Sequence, residues 1–150
     1  MGYHEAPAGW WEDFVGALPA RTAKLAVVLA DGSPLVAPVW VDLDRDDAGR
    51  VRAIVFTTGA DTAKGRALRR DPRVALCWDD ERPPFAFVSV RGTAELLDDL
   101  DQARAWATRI GGRYMGADRG AEFGARNGVP GELVVRVAPQ RVVAKVDVAR

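Results

Sequence analysis

Residues 24–43 read KLAVVLADGSPLVAPVWVDL, and this stretch decides the fold class. Residues 24–30 (KLAVVLA) are an apolar, β-branched run, Asp31-Gly32 is a hairpin-turn signal, and residues 34–43 (PLVAPVWVDL) read as the return strand. Pro38 has no N–H for a ladder, so it belongs at a sheet edge or a bulge. On the N-terminal side, Trp11, Phe14, Val15 and Leu18 stand at i, i+3, i+4 and i+7, one apolar face of a short helix that Pro19 closes.

On the other side, residues 44–49 (DRDDAG) form a polar turn and residues 51–58 (VRAIVFTT) a third strand. Gly59 breaks the pattern, and residues 61–70 (DTAKGRALRR) predict a short helix that ends at Asp71-Pro72. A fourth strand at 73–78 (RVALCW), a stiff acidic loop at 79–84 (DDERPP) and a long strand at 85–97, with Gly92 as a bulge, come next. Residues 98–115 predict a helix with an acidic first turn and Ala103, Trp106, Ala107 and Ile110 on one face. The Gly-rich residues 116–131 hold another short helix, and strands 132–138 and 141–148, joined at Pro139-Gln140, end the chain. Strands outnumber helices and several are linked as hairpins. The expected fold is mainly β: an antiparallel barrel with flanking helices, in one domain over residues 1–150.

Composition narrows the function. The 21 Lys and Arg balance the 21 Asp and Glu, so no net charge advertises a nucleic-acid or membrane partner, and any anion site must be local. One Cys (Cys77) and one His (His4) starve any metal site and exclude an internal disulfide. The N-terminal residues carry acids and no apolar run, unlike a secretory signal, and no stretch approaches the roughly 20 apolar residues of a membrane span. A soluble, cytoplasmic domain is expected.

The chemistry concentrates in residues 56–70, FTTGADTAKGRALRR. A strand ends in two hydroxyl residues, turns on Gly59 and enters a helix with Lys64 in its first turn. Free N–H groups, hydroxyl donors and one ammonium suit a phosphate. The same residues also read as an ordinary capped helix, with Asp61 or Thr62 as N-cap and Lys64 solvated.

Residues 24–40 (KLAVVLADGSPLVAPVW), 54–76 (IVFTTGADTAKGRALRRDPRVAL) and 79–96 (DDERPPFAFVSVRGTAEL), in that order, resemble the pyridoxamine-phosphate-oxidase-like superfamily of flavin- and deazaflavin-dependent split barrels. Thr62-Ala63-Lys64 is similar to the branch that uses the deazaflavin coenzyme F420. The resemblance implies that Lys64, with Thr57, Thr58 and Thr62 around Gly59 and Ala63, holds the cofactor's phosphate. It also implies that the backbone of Ala37, Pro38, Val39 and Trp40 lies along the tricyclic ring, although Trp40 reads equally well as a core aromatic. It further implies a homodimer with the cofactor at the subunit interface, where residues 78–83, among them Trp78, Arg82 and Pro83, come from the partner. Trp40, Trp78, Phe85 and Phe87 exceed what a small barrel interior needs, which points the same way.

Two departures bear on the cofactor. Flavin-binding members carry Arg where this chain has Ala37 and Ala63, and each Arg would clamp a phosphate with a charged fork. Their C-terminal pyridoxal-recognising motif, built on Arg and His, is absent from residues 134–150. The implied activity is therefore a deazaflavin-dependent reductase passing hydride to a conjugated small molecule, not pyridoxamine phosphate oxidation. FMN in the same barrel, and a non-catalytic binder of cofactor or haem with His4 in a floppy tail, are the alternatives. No residue stands out as a general acid.

Overall fold

The runs Ala53-Ile54-Val55-Phe56 and Leu133-Val134-Val135 show no polar alternation because both are covered on two faces. In the computed structural model, which describes residues 4–149, they lie in two neighbouring antiparallel strands, β5 (Val51–Gly59) and β8 (Glu132–Val146). Even-numbered residues of β5 point into the barrel, where Ile54 and Phe56 meet Val137 and Val135. Odd-numbered ones point outward, where Ala53, Val55 and Val134 pack against Ala103, Trp106 and Ile110 of helix α3 (Leu100–Met115).

The remaining strands are β1 (His4–Glu5), β2 (Ala23–Val28), β3 (Pro34–Val39), β4 (Asp42–Arg45), β6 (Arg73–Asp80) and β7 (Ala86–Leu97). The sheet runs β3-β2-β6-β7-β8-β5-β4, with β1 added to β8, and does not close. Four α-helices flank it: α1 (Trp10–Gly16), α2 (Ala63–Arg70), α3 and α4 (Gly120–Asn127). The barrel core takes alternate residues from each strand, such as Leu25, Val27, Leu76 and Val90, and is plugged by Phe14 and Val15 of α1 and by Ala67 and Leu68 of α2. The mainly β antiparallel barrel with outer helices is thus observed, as are the α3 face and the hairpin at Asp31-Gly32, closed by Leu29 N–H to Ser33 O at 2.8 Å. β3 is an edge strand, so Pro34 and Pro38 break no ladder there.

Four expectations are corrected. Helix α1 stops at Gly16, which leaves Leu18 outside it and 72% exposed. The return strand is not continuous over residues 34–43: it breaks at Trp40-Val41, after which β4 pairs with β5 instead of β2. Side chains of α3 hold the break, since Val41 N–H donates to the Tyr114 hydroxyl (3.1 Å) and Val41 O accepts from Arg113 Nε (3.1 Å). The last two strands are one, because Gln140 is a bulge between the Arg91–Arg141 and Gly92–Pro139 pairs and not a turn. Gly92 allows it: a Cβ there would lie 2.5 Å from Ala138 O. Finally, His4 is not in a loose tail but pairs with Val146 across β1–β8.

Candidate functional site

The corner between β5 and α2 is built by Thr62 and two glycines. Thr62 is the N-cap: its Oγ1 accepts from Gly65 N–H (3.0 Å), donates to Gly59 O (2.7 Å) and lies 3.0 Å from Thr58 Oγ1. Gly65 lets the helix touch the turn, for a Cβ there would sit 2.2 Å from Gly59 O. Asp61 is exposed and is not the cap. Among the described residues, the N–H groups of Ala63 and Lys64 have no acceptor within the chain, as expected for the first helical turn.

The implied phosphate cradle therefore divides. Strand alternation sends Thr58 to the barrel side, where its hydroxyl and that of Thr62 serve the cap. Thr57 points to the opposite face, beside Glu132, the first residue of β8 and the partner of Gly59 in the ladder. The Glu132 carboxylate is half-buried and hydrogen-bonded to Thr57, and Lys64 acts on it electrostatically. Burial pushes the Glu132 carboxyl above its ordinary value, and the Thr57 hydroxyl and the Lys64 ammonium oppose that rise. Thr57, Gly59 and Lys64 thus come together, with a carboxylate among them that the sequence did not disclose. Only the β5–β8 register would have revealed it.

Ala63, where related flavoproteins are expected to carry Arg, is exposed and opens onto a cavity of about 430 Å³. Arg66 and Arg70 line that cavity with Leu29, Ala30 and Asp31, so α2 offers the cavity two cations. Along β3, Ala37 is half-buried, Pro38 is exposed and Val39 is in the barrel core. Trp40 stacks on Tyr114 (centroids 5.0 Å apart, planes 4° apart) and meets Phe123 edge-on, so its ring belongs to the α3–α4 packing. Tyr114, its hydroxyl pushed up by burial, stays neutral and donates to Arg21 O at 2.7 Å.

The loop at 79–84 is less acidic in effect than in sequence. Asp79 pairs with Lys24 at 3.0 Å, and Asp80 takes a two-pronged contact from Arg82 (3.0 and 3.1 Å) with Arg21 3.8 Å away. The Arg82 hydrogen bonds lower the Asp80 carboxyl to about 2. Arg82 and Pro83 are exposed, but Trp78 is not: it is 0% exposed, aligned with Val74 and Leu76 on the inner face of β6. Its assignment to a surface facing a partner's cofactor is corrected on that ground, and it leaves the set of surplus aromatics, because the alternation of β6 turns the ring into the barrel core. Half-buried Cys77 has its thiol pushed up by burial and by Asp79, the setting of an inert strand cysteine. Among the described residues no cluster of three or more His, Cys, Asp or Glu is placed to hold a metal, and no helix is long and apolar enough to cross a membrane.

An unclosed antiparallel sheet coiled around one core, plugged by helices, with a strand–turn–helix corner presenting free N–H groups, is the architecture of a split β-barrel. The family model for pyridoxamine 5'-phosphate oxidase matches residues 14–146, and the chain belongs to that family. No curated protein matches it. Among solved structures, a conserved hypothetical protein of Mycobacterium tuberculosis is similar at 23% identity and TM-score 0.77, over 98% of this chain and 89% of that one. An F420 reductase is similar at 24% identity and TM-score 0.67 (91% and 98% covered), and a heme binding protein from Mycobacterium smegmatis at 23% and 0.63 (91% and 53% covered). At these identities the likeness is one of fold.

Proposed function

We propose that this chain is a deazaflavin-dependent oxidoreductase that binds coenzyme F420 and reduces a conjugated, electron-poor small molecule. The observation that carries the choice is the space at Ala63. An Arg there would fill the alcove and clamp a compact flavin phosphate; Ala leaves a cavity flanked by Arg66 and Arg70, suited to a longer phosphate-linked tail. The donor set fits a phosphate: the N–H groups of Ala63 and Lys64, the Lys64 ammonium and the Thr57 hydroxyl.

When bound, the reduced deazaflavin would supply the hydride. The protein's work is to hold and orient. Lys64 and the first turn of α2 fix the phosphate, and edge strand β3 with the break after it offers the Ala37–Trp40 backbone to the ring without an intervening strand. A second copy of the chain would wall the ring with its exposed Arg82 and Pro83, so the working unit is a cytoplasmic homodimer. No proton donor is assigned.

FMN is the second reading, because the same corner would take its phosphate. Haem is the third, with only His4 as an imidazole ligand. Titrating the purified protein with F420, FMN and haemin, followed by absorbance and fluorescence, tests all three. F420 should bind at least tenfold more tightly than FMN, about 1.4 kcal/mol. An equal or tighter constant for FMN, or a haem Soret shift without deazaflavin binding, would reverse the ranking.

A further inference from the structure

Glu132 does not belong in a phosphate cradle, and its presence there has consequences. Its carboxylate is half-buried beside Gly59, with Oε1 3.7 Å from where a Gly59 Cβ would be, and the Thr57 hydroxyl and the Lys64 ammonium act on it. We propose that Glu132 is the chain's own occupant of the anion seat, and that a phosphate-bearing ligand takes the seat only when this carboxylate is neutralised by a proton. Glu132 then limits cofactor affinity and couples it to pH. The inference rests on the reading of this corner as the cofactor's phosphate site.

The physics is direct. A phosphate placed against Thr57 and Lys64 brings its charge beside a carboxylate in a partly desolvated setting, where like charges repel more strongly than in water. Protonated, the same group loses the charge that attracts Lys64 and repels a phosphate, and it gains an O–H that can donate to a phosphate oxygen. The groups that face Glu132 support a single titration. Lys64 of α2 is the one charge acting on it; Thr57 and Gly59 of β5 are uncharged. Arg136, on the same face of β8, is bound to Asp44 at 2.5 Å. The direction follows from burial, which already raises the carboxyl above its usual value. Protonation is favoured further in the complex, so binding is strongest at low pH and weakens as the pH rises through the free protein's titration.

The test compares the full-length wild type with Glu132→Gln, which keeps the shape and removes the charge. FMN and F420 affinities are measured by fluorescence from pH 5 to pH 8, with inorganic phosphate as competitor. At pH 8 the variant should bind both cofactors at least tenfold more tightly, and the gap should narrow toward pH 5. The ionisation of FMN's own phosphate is common to both proteins and cancels in the ratio. Apo-protein melting curves check folding, and Glu132→Ala provides a second uncharged variant should Gln itself hydrogen-bond to Thr57. Equal constants with parallel pH profiles would overturn the role of Glu132 and leave the cofactor site standing. Absence of binding by every variant would instead remove the cofactor reading, and Glu132's role with it.

Discussion

Gly65→Ala probes the corner without invoking any ligand. In an exposed helix this change would stabilise by about 1 kcal/mol, because Ala is the better helix former. Here the new Cβ would lie 2.2 Å from Gly59 O, 3.0 Å from Ala60 O and 3.1 Å from Ala60 C, whereas ordinary contact begins at 3.4 Å. All three atoms are backbone, so no side chain can swing away. Overpacking of this kind costs about 1–3 kcal/mol. Moving α2 to relieve it would pull Thr62 from Gly59 O and from Thr58, and a lost N-cap costs about 1 kcal/mol more. The expected net is a loss of about 2 kcal/mol. At roughly 2–4 °C per kcal/mol for a chain of this size, Tm falls by about 4–8 °C. Gly112→Ala in α3 is the control, since its Cβ would meet nothing closer than 3.5 Å. That variant should gain up to about 1 kcal/mol. Differential scanning calorimetry of the two reads opposite signs. If Gly65→Ala melts at or above the wild type, the corner is not set by backbone contact and the argument fails.

The other predictions concern charge and assembly. Lys64→Ala removes a charge-assisted hydrogen bond worth about 1.5–3 kcal/mol, so cofactor affinity falls while apo Tm stays put; unchanged affinity would make Lys64 an ordinary solvated residue. Asp80 titrates near 2 in the folded chain against an ordinary 3.8. A depressed carboxyl stabilises above its unfolded value and loses that contribution as the pH falls toward 2. Arg82→Ala should bring the Asp80 NMR titration back toward 3.8, and an unmoved curve would refute the pairing. Sedimentation should give a particle of twice the 16.2 kDa chain mass. Mixing Lys64→Ala with Arg82→Ala chains should restore one intact site per mixed dimer, and a monomer with full cofactor affinity would sink the shared site.

Features that depend on neighbours along the chain are legible in the residues themselves. Apolar, β-branched runs located the strands, Asp31-Gly32 located the hairpin, and the spacing of Ala103, Trp106, Ala107 and Ile110 found the buried face of α3, because each signal lies within one element. Thr62 was legible as a possible cap for the same reason. Alternation along β6 also held a clue that Trp78 points inward with Val74 and Leu76, which the count of surplus aromatics overrode. The features that local patterns leave open depend on partners far apart in sequence. The break at Trp40-Val41 exists because Arg113 and Tyr114 satisfy its backbone from α3. Pro139-Gln140 resembles a turn locally, yet β7 pairs with the residues before and after it, so β8 continues through a bulge. Glu132 reaches Thr57 and Lys64 only through the β5–β8 register, and no local pattern specifies which two strands share a ladder or at what offset.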